Sequence, residues 1–308
     1  GFQNLSLAHE RLYGGVGLAL AAPTVELAVQ SGKGIVCDDS AVEGYVAEAV
    51  DVLEVPGAEV TVVERFQRHV GLGSGTQLAL ACLVGVARAH DRTVDVRALA
   101  PRLGRGGRSG VGVATAERGG FVVDAGHPTE RFTSAPPPAG DWTVPEPIIG
   151  RDVPADWRFV LVTPEAERGP SGPPEDERMR SVVERADPGI ADDAATLLTR
   201  RLLPAVAEGD HVAFGRAAAR LGRLNGAWYA DEQGGVYRPP AGRIVEALDG
   251  VPAITGAGQS SWGPTVYGVT DAAGSERAAA GARDALEDLG LDGVVRAVQP
   301  RNVGLTVD

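Results

Sequence analysis

Val70-Gly71-Leu72-Gly73-Ser74-Gly75-Thr76-Gln77 is the stretch on which the reading of this chain turns. Its glycines let the backbone take conformations closed to other residues, so that successive N–H groups can converge on an anion. Residues 78–89 follow as a nearly all-apolar run, which predicts a buried helix whose positive end faces the loop. Ser74 and Thr76 offer hydroxyls to phosphate or to bound magnesium. No lysine precedes Thr76, so the loop is not a Walker A sequence. A plain tight turn into a buried helix has the same pattern, and the loop alone does not separate the two readings.

The surrounding chain sets the frame. At 308 residues it is long enough for two ordinary domains, with a single large one still open. A composition 44% hydrophobic and 23% charged belongs to a globular protein, and no apolar run reaches membrane-spanning length. Gly1-Phe2-Gln3-Asn4-Leu5 has no basic region followed by an apolar run, so no secretory signal is expected and the cytoplasm is the default. Cys37 and Cys82 sit in apolar settings and read as buried thiols. A net charge of −12 argues against a nucleic-acid partner, whereas local arginines still allow a small anionic substrate. Lys33, the only lysine, lies in Ser31-Gly32-Lys33-Gly34, an exposed turn. Abundant Ala, Gly, Pro and Arg indicate a GC-rich genome.

Hydrophobic periodicity places the elements around the loop. Residues 24–30 alternate as a strand, residues 40–53 read as an amphipathic helix behind a Ser40 N-cap candidate, and residues 60–63 form a further strand. Residues 111–115 and 121–123, separated by Glu117-Arg118-Gly119-Gly120, predict a β-hairpin. The proline-rich stretch 134–146 cannot continue a helix or central strand, so the domains are expected to be 1–150 and 151–308. In the second half a strand at 157–162 precedes helices containing Leu198, Leu202 and Ala205 on one face and residues 211–224. A β-α-β ending covers 265–270, 276–289 and 293–298, and the whole is α+β.

The loop resembles motif 2 of the GHMP superfamily, the kinases of galactose, homoserine and mevalonate and their relatives. Four further segments sharpen the resemblance: Arg11-Leu12-Tyr13-Gly14-Gly15-Val16-Gly17-Leu18-Ala19-Leu20, Arg108-Ser109-Gly110-Val111-Gly112, Gly119-Gly120-Phe121-Val122-Val123-Asp124-Ala125-Gly126 and Gly258-Gln259-Ser260-Ser261-Trp262-Gly263-Pro264-Thr265-Val266-Tyr267. Together, in this order, they are similar to the β-ribofuranosylaminobenzene 5′-phosphate synthase family. The resemblance implies a GHMP-kinase fold, with an N-terminal domain like domain 2 of ribosomal protein S5 and a ferredoxin-like C-terminal domain. That family shares the kinase fold without being a kinase. It joins C1 of phosphoribosyl pyrophosphate to a ring carbon of an aromatic acid with loss of pyrophosphate and CO2, and homologues use pyrazole carboxylates in C-nucleoside antibiotic biosynthesis. Loss of magnesium-bound pyrophosphate leaves an oxocarbenium-like C1, which an activated ring attacks through its carboxylate-bearing carbon. The protein's tasks are then to hold anions, align the ring and exclude water.

The resemblance also assigns residues. Gly71, Leu72, Gly73, Ser74, Gly75, Thr76 and Gln77 hold the donor's phosphates, with Arg108 and Ser109 completing an anion clamp and Ser260, Ser261 and Thr265 as further phosphate contacts. Asp124 and His127 are the catalytic candidates, the carboxylate facing positive charge at C1 or binding Mg2+, although capping a turn at the strand end suits them as well. His9, Arg11, Tyr13, Gly14, Gly15 and Trp262 are the acceptor-binding candidates, with Trp262 stacking on the ring or serving as interface core. Asn225, Trp228 and Tyr229 read as helix-end packing. The family begins with a strand ahead of its Tyr-Gly-Gly region, and the chain starts almost at that point, so the expectation is either a truncated chain or a missing strand, with any site residue on that strand out of view. A homodimer is expected.

Two alternatives stay open. An ATP-dependent kinase on the same fold often uses a lysine near the transferred phosphate, and Lys33 is poorly placed for that. A non-catalytic relative would not need three Gly/Ser-rich motifs. Within the favoured class, the GC-rich composition points to a pyrazole acceptor rather than an amino- or hydroxybenzoate of tetrahydromethanopterin synthesis.

Overall fold

The computed structural model describes residues 1–132, 141–169 and 173–308. In chain order the elements are β1 (Phe2–Asn4), β2 (Arg11–Leu18), β3 (Glu26–Ser31), β4 (Gly34–Cys37), α1 (Ser40–Leu53), β5 (Gly57–Glu64), α2 (Ser74–Ala89), the short α3 (Val96–Leu99), α4 (Val111–Arg118), β6 (Phe121–Asp124), β7 (His127–Pro128) and β8 (Pro147–Arg151). They are followed by β9 (Trp157–Pro164), α5 (Pro173–Arg185), α6 (Pro188–Leu197), α7 (Leu203–Glu208), α8 (His211–Gln233), α9 (Ala241–Asp249), β10 (Gly256–Gln259), β11 (Val266–Asp271), α10 (Ser275–Asp288) and β12 (Gly293–Val298). The fold is α+β.

Three sheets organise the molecule. The first runs β1-β2-β6-β8, with β7 pairing β2, and the second runs β3-β5-β4. The third runs β10-β11-β9-β12 with every pair antiparallel, the strand order of a ferredoxin-like unit. A short strand, β1, stands ahead of the Tyr-Gly-Gly region, with Phe2 and Asn4 paired to Gly15 and Tyr13. Asn225 clips it in place, accepting from the Phe2 amide at 2.6 Å and donating to the Phe2 carbonyl at 3.0 Å.

Core packing follows the apolar stripes. Val42 and Val46 of α1 meet Leu78 and Leu83 of α2, all fully buried, so α2 is sealed on the β3-β5-β4 sheet. Full burial of each such side chain contributes about 1.5–3 kcal/mol. Asp39, rather than Ser40, caps α1, its carboxylate accepting from Ala41 N at 2.9 Å. A larger core joins Leu12 and Phe121 of the first sheet to Trp157, Phe159, Leu202 and Phe214. It crosses residue 150, and the boundary expected there falls inside β8, so the two halves share packing. Leu198, Leu202 and Ala205 are buried on one face, as their spacing required, with a π-helical stretch from Leu198 to Leu202 linking α6 to α7. Cys82 is buried, whereas Cys37 is only half-buried.

The hairpin expected at 111–123 is a helix followed by a strand. Val111-Gly112-Val113 reads as β from its branched side chains, but Gly112 packs α4 against α2, and a Cβ there would stand 3.0 Å from Thr76 Cγ2. Thr115 Oγ1 donates to Val111 O at 2.8 Å within the helix. Tertiary closeness to α2 overrides local β propensity. Of the proline-rich stretch 134–146, residues 134–140 lie outside the described residues.

Candidate active site

A cleft of about 1950 Å³ runs between the glycine-rich loop, the 104–109 segment and the third sheet. Gly71 and Gly73 have φ of 87° and 69°, backbone conformations that glycine adopts without penalty. Across the cleft, Ser260 Oγ donates to Gly71 O at 2.8 Å, and the Thr265 amide reaches Val70 O at 3.3 Å. A Cβ on Gly71 would collide with Ser260 O, so glycine is what lets the two loops meet. Gln77 Nε2 braces the turn by donating to Leu72 O at 3.0 Å. Thr76 and Gln77 amides bond to Gly73 O, and α2 has neither an acidic residue in its first turn nor a side-chain cap. That leaves an electropositive helix start open to the cleft.

Some phosphate candidates are spent elsewhere. Thr265 is fully buried, with its hydroxyl 2.9 Å from that of Thr163, and it does not line the cleft. The Ser260 hydroxyl is committed to Gly71 O, so Ser260 holds the loop rather than presenting a free donor. Ser261 takes φ 51° at the turn, lines the cleft and accepts from Gln259 Nε2 at 2.9 Å through its carbonyl.

Asp124 and His127 hold the arginine-bearing segment from beneath. Asp124 is fully buried and absent from the cleft wall; Gly110 N donates to it at 2.7 Å, Gly126 N at 2.9 Å and Ser109 Oγ at 3.3 Å. Burial pushes its carboxyl pKa up, against these hydrogen bonds, which pull it down. His127, also buried, bonds through Nε2 to Gly107 O and packs edge-on against Trp142. Burial lowers its pKa. Gly15 is where β2 passes Asp124, since a Cβ there would lie 2.6 Å from the Asp124 carboxylate. Asp124 and His127, the residues expected to be catalytic, thus lie beneath the cleft wall, bonded to the segment that carries Arg108.

Arg108, so positioned, enters the cleft and pairs with both Glu175, at 3.4 Å, and Asp176 of α5. Burial raises the Glu175 pKa, and the nearby Arg108 guanidinium opposes that rise. Tyr13, with φ 70°, turns its hydroxyl toward Arg108; burial raises its pKa. Tyr229 lines the same wall, its ring centroid 4.7 Å from that of Trp262 and tilted by 59°. Glu175, Asp176 and Tyr229 were missed from sequence, because a charged helix start and a mid-helix tyrosine look like solvent face and packing.

The acceptor candidates divide. Trp262 is in the cleft; Gly14, φ 80°, lies where a Cβ would strike Gln3, and with Gly15 it shapes the strand behind the wall. Arg11 donates to Ala125 O at 2.6 Å and Gly126 O at 2.9 Å, and His9 sits 3.7 Å from Asp192, both away from the cleft. Arg11 staples the β6–β7 turn through its Nε and Nη2, outside the cleft lining.

On the other side of the loop two arginines passed over in the sequence come together. The Arg68 and Arg105 guanidinium carbons lie 5.1 and 5.5 Å from the centre of the Tyr45 ring. Neither makes an ion pair among the described residues, and the Nε of each is buried without a hydrogen-bond partner. Among the described residues no cluster of three His, Cys, Asp or Glu is placed to hold a metal ion.

Three sheets around a glycine-loop helix define a GHMP-kinase fold, and the GHMP kinase N-terminal domain family model matches residues 40–120. Solved structures agree: homoserine kinase from Cytophaga hutchinsonii has a TM-score of 0.65 at 14% identity, covering 98% of this chain and 93% of that one. L. major mevalonate kinase in complex with R-mevalonate has a TM-score of 0.67 at 14% identity, with the same coverages. At that identity the likeness shows the fold alone. Sequence narrows it further. β-Ribofuranosylphenol 5′-phosphate synthase of Methanothermobacter thermautotrophicus is 34% identical over 279 residues, 85% of this chain and 82% of that protein. The synthase of the same name from Archaeoglobus fulgidus is 33% identical over 97% of this chain and 93% of its own length. The chain belongs to the β-ribofuranosylphenol 5′-phosphate synthase family. It is an enzyme of that class, a pentosyl transferase that forms a C–C bond with decarboxylation.

Proposed function

We propose that the enzyme joins C1 of phosphoribosyl pyrophosphate to the carboxylate-bearing carbon of an electron-rich ring. The observation that carries this reading is the meeting, in one cleft, of an open helix start behind Gly71 to Gln77 with the Tyr229–Trp262 pair, and of Glu175 and Asp176 beside Arg108. The loop holds the donor's phosphates through the backbone and Ser74, Thr76 and Ser109, while Tyr229 and Trp262 line the seat of the ring. The C1–O electron pair departs with pyrophosphate, and the ring carbon supplies the pair of the new C–C bond. The carboxylate's C–C pair returns to the ring as CO2 leaves. Positive charge developing at C1 is met by Glu175 and Asp176, the task expected of Asp124. Mg2+ enters as the counter-ion of the donor's pyrophosphate and so belongs to the substrate.

For the acceptor we propose a hydroxy- or aminopyrazole carboxylate, giving a C-nucleoside 5′-phosphate in antibiotic biosynthesis, supported by the GC-rich composition. The phenol in the relatives' name supports a second reading, a hydroxybenzoate acceptor. Supplying donor, magnesium and each acid in turn, and following pyrophosphate and CO2, separates them. Turnover with pyrazole acids well above that with benzoates is the expected result, and the reverse order rejects the pyrazole assignment. We further propose a cytoplasmic homodimer. None of the helices among the described residues is long and apolar enough to cross a membrane. Light scattering tests the dimer, and a monomeric mass would refute it.

A further inference from the structure

We propose that Arg68 and Arg105, laid against Tyr45 beside the start of α2, form a dedicated seat for a diphosphate group, separate from Arg108. The proposal rests on the donor reading above for the identity of the ligand, but the seat itself is argued from these residues. Tyr45 is a rigid platform: it sits on α1 in the core and is 6% exposed. The Arg105 Nη1 and the Tyr45 hydroxyl stand 3.2 and 3.4 Å from where a Cβ on Gly75 would lie, so the guanidinium is at the first turn of α2. Gly75 therefore keeps that corner open.

Charge gives the seat its ligand. Arg108 is already paired with Glu175 and Asp176, whereas Arg68 and Arg105 make no ion pair among the described residues, and Glu175 acts on Arg105 only from beyond ion-pair distance. Two guanidinium groups within 5.5 Å of one ring centre make a positive corner that an anion would neutralise, and each presents a planar fork suited to phosphate oxygens. His69, next to Arg68, reports the same field: burial lowers its pKa, with Arg68, Arg168 and Arg105 adding to the effect. Arg105 is also held in register, because its segment is tied down at Gly107 by His127 and at Gly110 by Asp124. A dianionic or trianionic diphosphate, rather than a single phosphate monoester, spans two forks and an open helix start together.

Calorimetric titration of the wild type, Arg68→Gln and Arg105→Gln with magnesium pyrophosphate, ribose 5-phosphate and phosphoribosyl pyrophosphate tests this. Because neither arginine satisfies another protein group among the described residues, the Gln variants leave no orphaned partner and should fold normally. Each should bind pyrophosphate at least about 10-fold more weakly and ribose 5-phosphate within about 2-fold of wild type. No wild-type binding of pyrophosphate, or unchanged affinity in both Gln variants, would overturn the seat. Arginine-dependent binding of pyrophosphate without binding of phosphoribosyl pyrophosphate would uphold the seat and reject the donor.

Discussion

The amide of Gly110 donates to the fully buried carboxylate of Asp124 at 2.7 Å, and through that bond β6 determines where Arg108 stands. Asp124→Ala strands the Gly110 and Gly126 amides and should cost about 2–4 kcal/mol in urea unfolding, with activity lost as the segment loosens. Asp124→Asn keeps one acceptor oxygen for two amide donors and should fall between. A stable Asp124→Asn enzyme with abolished turnover and unchanged donor affinity would instead indicate direct chemistry at this carboxylate.

His127 and His69 set a pH dependence of stability. Both have pKa values below the usual 6.5, chiefly through burial, so on acidification the unfolded chain takes up their protons first. Stability should therefore fall as pH drops from 6.5 through the folded-state values. Asp124 and Glu175 act with the opposite sign, their raised pKa values favouring the folded state as pH falls toward their usual 3.8 and 4.5. Urea midpoints of wild type and His127→Gln between pH 7 and about 5 isolate the histidine contribution, and the variant should decline less steeply.

Gly71→Ala tests the contact between the two loops. Its φ of 87° and the approach of Ser260 O both oppose a Cβ, so a loss of about 1–3 kcal/mol is expected. Donor affinity should fall more than acceptor affinity, measured by titration with each. An unchanged melting temperature would show that the loops do not need this approach.

The cleft's two sides should separate kinetically. Trp262→Ala removes one ring of the pair and should raise KM for the acceptor about 10-fold or more with little change for the donor. On the proposed function, in which Glu175 faces C1, Glu175→Gln removes a negative charge from the cleft and should lower kcat about 10²-fold while leaving KM nearly constant. Steady-state kinetics in both substrates checks this, and a pure KM effect from Glu175→Gln would assign it to binding alone.

Legibility differed by type of residue. The glycine-rich loop, the buried helix behind it and the β-α-β ending were readable because local propensity and tertiary packing agree there. The segment at Val111–Arg118 was not, because its branched residues favour β and its helical form rests on tertiary packing, including the close approach of Gly112 to Thr76. Motif resemblance brought Asp124 and Arg108 to attention together but could not tell a group in the cleft from the one beneath it. Arg68, Arg105 and Tyr45 are far apart in sequence and sit among ordinary loop and helix residues, so their convergence exists only in three dimensions.

The most direct test is to incubate the enzyme with magnesium, phosphoribosyl pyrophosphate and the best acceptor acid, and in parallel with magnesium, ATP and the same acid. Pyrophosphate and CO2 released in equal amounts from the first mixture, with no ADP from the second, is the predicted result. ADP formation without CO2 release would contradict it and make the enzyme a kinase.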